Sequence, residues 1–237
     1  MRHDTAFVSA RRAEIQARME AAWHAAAPGA RAERVRLVAV TKYLDAPRMT
    51  GLRAAGLEIF AENRVQAALA KLEAAAGWRE ADQPREWHFI GTLQGNKVRS
   101  VVGRFHLLHG VDRLELAQAL SREAASRGLT QRVLLEVHIS GEASKHGFPP
   151  DELEARWAEL AALPGLAVEG LMGMAAPDGD AQAQFRGLRE LRDRLDPTRR
   201  RLRELSMGMS GDFEAAIREG ASLVRIGTSL FSEEAGT

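Results

Sequence analysis

The chain has 237 residues, of which 45% are hydrophobic and 27% charged, with no cysteine and a formal net charge of +1. This composition excludes disulfides, thiolate metal sites and cysteine nucleophiles, and it gives no argument for a nucleic acid or an anionic membrane as a partner. The N-terminus is charged throughout and no apolar run is long enough to span a bilayer, so we expect a cytoplasmic protein.

The predicted elements begin with one helix over about residues 5–27, which the Pro28-Gly29 pair ends. Short apolar runs then alternate with amphipathic segments, and three of these segments, 114–126, 150–162 and 181–195, are long enough for well-formed helices. The apolar runs are predicted to be strands. They cover 35–40, 57–63, 87–91, 105–112, 132–140, 166–174, 203–210 and 222–227.

Strands and helices that alternate in this way predict a parallel sheet with helices outside it. Eight such units favour a closed (β/α)8 TIM barrel over an open doubly wound sheet. The glycine fingerprint of a dinucleotide-binding sheet is absent after the first strand, where the sequence reads VTKYLD. We therefore predict one domain over 1–237, with an N-terminal helix at about 5–27 and the barrel at about 34–232.

The residues that follow each strand are the first place to look for chemistry, because barrels carry their sites on these loops. Lys42 stands just past the first apolar run. It is either a solvated strand end or an amine that attacks an aldehyde. The second role requires a lowered pKa, and we expect partial burial in the barrel mouth to supply it.

The last two strand ends are rich in small and hydroxyl-bearing residues. Ser210 stands next to Gly211, and Gly227 and Thr228 open a short helical turn. Small residues let backbone N–H groups approach an anion, and barrels often bind phosphate on these two loops. The alternative is that Ser210 and Thr228 are plain helix N-caps.

A phosphate on one side of a barrel mouth and a lysine on the other predict a phosphorylated aldehyde held as an imine. Pyridoxal 5'-phosphate (PLP) satisfies both ends. Arg225, inside the eighth strand, needs a partner because buried arginine is costly. It either faces the pyridine nitrogen, which would stay unprotonated and weaken the ring as an electron sink, or it pairs with Glu136 or Glu204. The sequence leaves both roles open.

Several blocks of the chain carry a family resemblance. They are AVTKY, AEN, WHFIGTLQGNK, VDR, ISGEASKHG, GLMGMA, LSMGMSGD and VRIGTSLF, in this order between Val35 and Phe231. Together they resemble the signature blocks of the YggS/PROSC family of pyridoxal phosphate homeostasis proteins. The resemblance implies a single-domain barrel of the alanine racemase type, fold type III, which binds PLP covalently.

The resemblance also assigns roles to positions. It implies that Lys42 holds PLP as an internal aldimine, that Asn63 is a cofactor-side residue and that Arg225 lies near the pyridine nitrogen. The phosphate-binding positions that it implies are Ser210, Gly227 and Thr228.

Three further residues are assigned less specific places. Met207 and Met209 are expected in the pocket wall, although methionine pairs also fill cores. Lys145 matches a second family lysine and is expected either as a secondary PLP site used for cofactor entry or as a solvated loop lysine. No catalytic residue is predicted, and no metal site, because the histidines and carboxylates show no ligand spacing.

The expected function is PLP binding in intracellular PLP homeostasis, without efficient turnover, by a monomer whose candidate partners are PLP-dependent apo-enzymes. The alternative is an amino-acid racemase, which needs two bases on opposite faces of the substrate. Tyr43 is the only tyrosine, and strand alternation is expected to point it away from Lys42. Six residues follow Phe231, so we expect no second domain.

Two histidines and a third function complete the alternatives. His88 or His109 could supply a base, but each is expected to be a hydrogen-bonded strand-end histidine. An aldolase that forms imines with sugar phosphates would share the lysine and the phosphate loops. It would be colourless, whereas bound PLP is yellow.

Overall fold

The computed structural model describes residues 4–141 and 146–232. Within these ranges, parallel strands close into a barrel in chain order, because the first strand pairs with both the second and the last. The predicted (β/α)8 barrel is confirmed. The strands are β1 (Arg36–Val40), β2 (Ile59–Glu62), β3 (Glu86–Phe89), β4 (Leu107–Val111), β5 (Gln131–Val137), β6 (Leu166–Gly173), β7 (Glu204–Ser206) and β8 (Leu223–Ile226).

Helices surround the barrel, and the segments with the clearest amphipathic pattern agree best with the prediction. The helices are α1 (Thr5–Ala25), α2 (Ala46–Met49), α3 (Val65–Ala75), α4 (Val98–Val101), α5 (Leu114–Ser126), α6 (Pro150–Ala161), α7 (Ala181–Leu195), α8 (Phe213–Arg218) and α9 (Thr228–Phe231). Short 3-10 turns cover Glu80–Asp82 and Gly95–Lys97. No helix in the described ranges is apolar enough over a sufficient length to cross a membrane.

The N-terminal helix α1 is capped and docked on the barrel. The Asp4 carboxylate accepts the N–H of Phe7, which satisfies one of the free donors at the helix start. The helix packs against α8 and α9. At this contact the Arg18 Nε donates to the Glu214 carboxylate at 2.7 Å.

The barrel strands alternate between two apolar clusters. On β8, Leu223 belongs to a small cluster inside the barrel, whereas Val224 and Ile226 belong to the larger cluster between strands and helices. Arg225 therefore shares the inward face with Leu223. Buried polar side chains sit beside the inner cluster, where barrels commonly carry branched apolar residues.

The strand β7 is shorter than predicted. It covers only Glu204–Ser206, whereas the apolar run suggested 203–210. The chain turns at Gly208, whose φ of 90° lies in the left-handed region. A Cβ at this position would come within 2.6 Å of the Ala216 Cβ, so glycine also lets the loop approach α8.

Candidate functional site

The mouth of the barrel, at the carboxyl ends of the strands, holds a cavity of about 400 Å³. This volume lies in the range of roughly 300–1,000 Å³ that small-molecule sites occupy. The residues that line it are Val40, Lys42, Tyr43, Asn63, Ile90, Met172, Met174, Met209, Ser210, Gly211, Arg225, Gly227 and Thr228. A cavity of about 490 Å³ lies at β5 and β6 with Arg200 and Arg203, but it contains none of the predicted site residues.

Lys42 lies in the turn that follows β1 and is the one lysine, among the described residues, that lines the mouth. Its Nζ lies 4.9 Å from the centroid of the Tyr43 ring, a cation–π contact. The expected partial burial is wrong, because the residue is exposed. The whole sequence contains only four lysines: Lys42, Lys71, Lys97 and Lys145.

A buried ion pair supports the strand ends that carry Lys42 and Asn63. The Lys71 Nζ, on α3, lies 2.6 Å from Glu62 Oε1 and donates to the Thr41 carbonyl at 3.0 Å. The Thr41 hydroxyl donates to the same carboxylate oxygen at 2.5 Å. Because Thr41 precedes Lys42 and Glu62 precedes Asn63, this pair fixes the backbone on which both site residues stand.

The sequence analysis missed the role of Lys71, although a signal was present. Lys71 lies on the same face of α3 as Val65, Ala68 and Ala75, which are all buried. A lysine on the apolar face of a helix requires a buried acceptor.

Asn63 lines the mouth as predicted, and the next strand end approaches its backbone closely. A Cβ on Gly91 would lie 2.1 Å from the Asn63 carbonyl oxygen. Only glycine fits there without a shift of the backbone, so Gly91 determines how near the ends of β2 and β3 can come.

The loops after β7 and β8 meet through hydroxyl groups. The Thr228 Oγ1 and Ser210 Oγ lie 3.1 Å apart, and Ser210 Oγ accepts the Ser229 N–H at 3.5 Å. Neither Ser210 nor Thr228 is an N-cap, since Asp212 caps α8 and Gly227 caps α9. The hydroxyls thus face the cavity from two neighbouring loops.

Arg225 reaches the mouth from inside the barrel and is held by neutral oxygen atoms. Its Nη1 donates to the Ser206 carbonyl and hydroxyl, both at 2.7 Å, and its Nη2 donates to the Gly173 carbonyl at 3.2 Å. Burial lowers the pKa of Arg225 to about 10, against the opposing effect of the Glu136 and Asp212 charges. Glu204 pairs instead with Arg36 at 2.9 Å.

Glu136 lies under the mouth on β5 and is almost completely buried. Burial raises its pKa to about 7, and the Asp112 charge adds to the effect, whereas Arg225 and His146 oppose it. No ion pair joins Glu136 to Arg225 within the described residues, so this pairing, which the sequence left open, is only an electrostatic interaction at longer range.

Three further expectations need correction or stay open. Met207 is fully buried in the outer cluster and does not line the mouth, whereas Met209 does. Tyr43 lines the same cavity as Lys42, because both follow the end of β1 and strand alternation no longer applies. Lys145 lies outside the described residues.

The two histidines proposed as alternative bases lie inside the barrel. His88 and His109 are fully buried, and neither lines the mouth. Both are hydrogen-bonded, as expected, and they bond to one another, but they lie within β3 and β4 and not at strand ends. In residues 4–141 and 146–232, no group of three or more histidine or carboxylate side chains could hold a metal ion.

Comparisons with known proteins find relatives that cover most of the chain. The model of the family described as alanine racemase, N-terminal domain, matches residues 16–234. A pyridoxal phosphate homeostasis protein of Pseudomonas aeruginosa is 42% identical over 219 residues, which cover 92% of each chain.

Two solved structures show how far the likeness extends. The structure of PipY from Synechococcus elongatus with PLP bound is 34% identical, with a TM-score of 0.79 over 95% of this chain and 100% of that one. An alanine racemase from Corynebacterium glutamicum shares the fold, with a TM-score of 0.70 at 17% identity over 98% of this chain and 62% of the racemase.

Proposed function

The chain belongs to the alanine racemase N-terminal domain family and, within it, to the pyridoxal phosphate homeostasis proteins, and we propose that it binds PLP at the barrel mouth. The observation that carries the proposal is the convergence of Lys42, Arg225 and the Ser210–Thr228 hydroxyl pair on one cavity. We further propose that the protein keeps and delivers PLP and does not turn over a substrate efficiently.

The residues at the mouth fit the parts of PLP one by one. Lys42 supplies an amine for the aldehyde. The loops after β7 and β8 offer hydroxyl donors for the phosphate, and Gly227 lies close to β1, since a Cβ there would meet Val40 at 3.3 Å. Arg225 is a buried cation that reaches the cavity floor and suits the pyridine nitrogen.

Bound PLP supplies an electrophilic aldehyde carbon conjugated to an aromatic ring. We propose that the Lys42 Nζ would hold PLP by a covalent bond to this carbon, with the aldehyde oxygen released as water. Burial lowers the pKa of Arg225 to about 10, so the guanidinium is still protonated at neutral pH. It therefore stays a donor towards the pyridine nitrogen. A ring nitrogen that accepts from a cation remains unprotonated, and the ring withdraws electrons weakly.

The racemase alternative receives less support from the site. Among the described residues that line the mouth, Lys42, Tyr43 and Arg225 are the titratable ones. The Tyr43 ring lies against the Lys42 amine and not across the cavity from it. A reaction with two bases needs them on opposite faces of the substrate carbon, and no second base faces Lys42 in this part of the chain.

We also propose that the protein acts in the cytoplasm as a monomer and that PLP-dependent apo-enzymes receive its cofactor. The support is the family resemblance and a mouth that is open to solvent, where Lys42 is exposed. An exposed amine can exchange its aldehyde with a recipient without a large opening of the barrel.

The test of the site is borohydride reduction of the protein loaded with PLP, followed by peptide mass mapping. Lys42 should carry the modification at about one equivalent, and Lys42→Ala should lose the visible absorbance band while it stays folded. Lys97→Ala is the matched control and should keep both the band and the adduct.

Two results would contradict the proposal. An adduct that persists at full yield in Lys42→Ala would move the covalent site to another amine, for example Lys145. Racemisation of common amino acids at enzyme-like rates would replace the carrier function by the racemase. Transfer of PLP to an apo-enzyme, measured against free PLP, tests delivery separately.

A further inference from the structure

A continuous chain of hydrogen bonds runs through the barrel from Arg225 towards the opposite end. The Arg225 Nη1 donates to Ser206 Oγ at 2.7 Å, and Ser206 Oγ lies 2.8 Å from His109 Nδ1. The His109 Nε2 lies 3.0 Å from His88 Nδ1. The His88 Nε2 lies 2.8 Å from Glu86 Oε2, where the chain ends.

The two ends of this chain fix the position of every proton between them. An ionised Glu86 can only accept, so the His88 Nε2 carries a proton and its Nδ1 is an acceptor. The His109 Nε2 must then donate to His88, which leaves the His109 Nδ1 as an acceptor. The Ser206 hydroxyl fills that acceptor, and its oxygen lone pair receives the Arg225 N–H. All donors therefore point from Arg225 towards Glu86.

The environment keeps both histidines neutral, as this arrangement requires. His109 is completely buried, and burial, with the nearby His88 and Arg225, holds its pKa well below the ordinary value. Burial also lowers the pKa of His88, although Glu86 opposes the effect. The hydrogen bond from His88 lowers the pKa of Glu86 to about 2, so that the carboxylate is ionised at neutral pH.

The far end of the chain is itself anchored. The Glu86 Oε1 accepts from Arg36 Nη1 at 2.9 Å, and Arg36 Nη2 donates to Glu204 at 2.9 Å. Glu86 therefore cannot move away from His88 without breaking its ion pair with Arg36.

At the near end, the chain limits what Arg225 can offer the cavity. A guanidinium has five N–H donors. Ser206 and Gly173 accept three of them within the described residues. The remaining two are on Nη2 and Nε, and Arg225 lines the mouth.

We propose that Ser206, His109, His88 and Glu86 are positioning residues that hold Arg225 in one orientation as a donor towards the ring nitrogen of PLP. The inference rests on the proposed PLP site, to which it adds residues that do not touch the cofactor. It assigns the Nε2–H tautomer to both His88 and His109. Through these hydrogen bonds, the Glu86 carboxylate at one end of the barrel orients Arg225 at the other end, where the cofactor would bind.

The first measurement needs no cofactor. Nitrogen-15 NMR of the histidine side chains in the PLP-free protein at neutral pH reports the tautomer of each ring. We expect Nε2–H for both His88 and His109. A cationic ring, or Nδ1–H on His109, would overturn the proposal, because either reverses a bond in the chain.

The second measurement uses Ser206→Ala, which removes the link between Arg225 and His109. We expect the His109 Nδ1 resonance to move, the absorbance maximum of bound PLP to shift, and PLP to bind about three- to tenfold more weakly. Ser121→Ala is the matched control, because Ser121 is also buried and its hydroxyl donates to the Pro164 carbonyl, away from Arg225 and His109. It should leave all three readouts unchanged.

Glu86→Gln tests the anchored end and does not depend on the folding of the Ser206 variant. Glutamine has one acceptor oxygen where Glu86 uses two, and Arg36 can only donate, so the amide oxygen faces Arg36 and the amide NH2 faces the His88 Nε2. We expect His88 to change to the Nδ1–H tautomer. Unchanged tautomers in this variant, or unchanged PLP affinity and absorbance in a folded Ser206→Ala, would contradict the proposal. If the unmodified protein fails to bind PLP, the proposed function is wrong. The histidine NMR signals still decide whether the series of hydrogen bonds from Arg225 to Glu86 is present.

Discussion

Two buried cations, Lys71 and Arg225, lie near the barrel mouth and differ in the partners that hold them. Lys71 is paired with the buried Glu62 at 2.6 Å and also holds the Thr41 carbonyl. Arg225 is equally buried, but its hydrogen-bond acceptors are the neutral oxygens of Ser206 and Gly173. The first charge is cancelled where it stands. The second has no adjacent anion in the described residues.

The difference separates structure from function. A cancelled charge can fix the backbone, as Lys71 does for the strand ends that carry Lys42 and Asn63. A charge that is held by neutral oxygens can still attract a ligand. Its burial lowers the stability of the folded protein, because no paired anion offsets the cost of removing the charge from water. The comparison predicts that changes on the Lys71 side act mainly on folding and that changes on the Arg225 side act mainly on binding or on pH dependence.

The largest effect is expected from Lys71→Met. It leaves the Glu62 carboxylate buried without its cation, and the free energy of unfolding should fall by about 3–5 kcal/mol. Denaturant unfolding measures the loss. The double variant Glu62→Gln/Lys71→Met should recover part of it, because no charge is then left unpaired. A double variant no more stable than the single one would show that the pair does not act as a unit.

Glu136→Gln should change how stability depends on pH. In the folded protein the Glu136 pKa is raised to about 7, so the folded state binds a proton that the unfolded chain releases above its ordinary pKa of 4.5. The stabilisation is complete below 4.5 and is lost as the pH rises through 7.

Glutamine cannot ionise, so the variant should escape this loss. From pH 5 to pH 8, the free energy of unfolding of the variant should rise by about 1–3 kcal/mol relative to that of the unmodified protein. Denaturant unfolding at both pH values measures this change. Glu152→Gln, at an exposed position of α6, is the control and should show no such gain. Parallel pH profiles for the unmodified protein and Glu136→Gln would mean that Glu136 titrates normally.

The smallest effect is expected from the loss of a single neutral hydroxyl group at the barrel mouth. Ser210→Ala removes one hydroxyl from the proposed phosphate loops and should weaken PLP binding about fivefold, which corresponds to about 1 kcal/mol. Ser126→Ala is an exposed control. Pyridoxal, which lacks the phosphate, should bind Ser210→Ala and the unmodified protein equally. A matching loss for pyridoxal would place Ser210 elsewhere in the site.

The sequence predicted the barrel and most of the mouth because both depend on local patterns. Lys42, Ser210 and Thr228 are strand-end residues, and barrel closure brings strand ends together whatever their exact register. Met207 went wrong because Gly208 turns the chain with a φ of 90°, so that Met207 and Met209 no longer share a face. The glycine was visible, but its backbone angle was not.

The buried polar contacts could not be predicted in the same way. His109 meets Ser206 across the barrel, 97 positions apart in the chain. Such a contact depends on strand tilt and on the height of each residue in the interior, which periodicity does not specify. Lys71 was closer to prediction, since a lysine on an apolar helix face demands an acceptor, although nothing in the sequence names Glu62.

The small number of lysines has a consequence for an aldehyde ligand. Of 33 basic residues, only four carry a primary amine, and Lys71 is enclosed by its ion pair. Arginine does not condense readily with aldehydes, so most of the positive surface is inert towards them. A protein that handles a reactive carbonyl therefore carries its charge largely in a form that the carbonyl cannot modify, which limits random imine formation on its own surface.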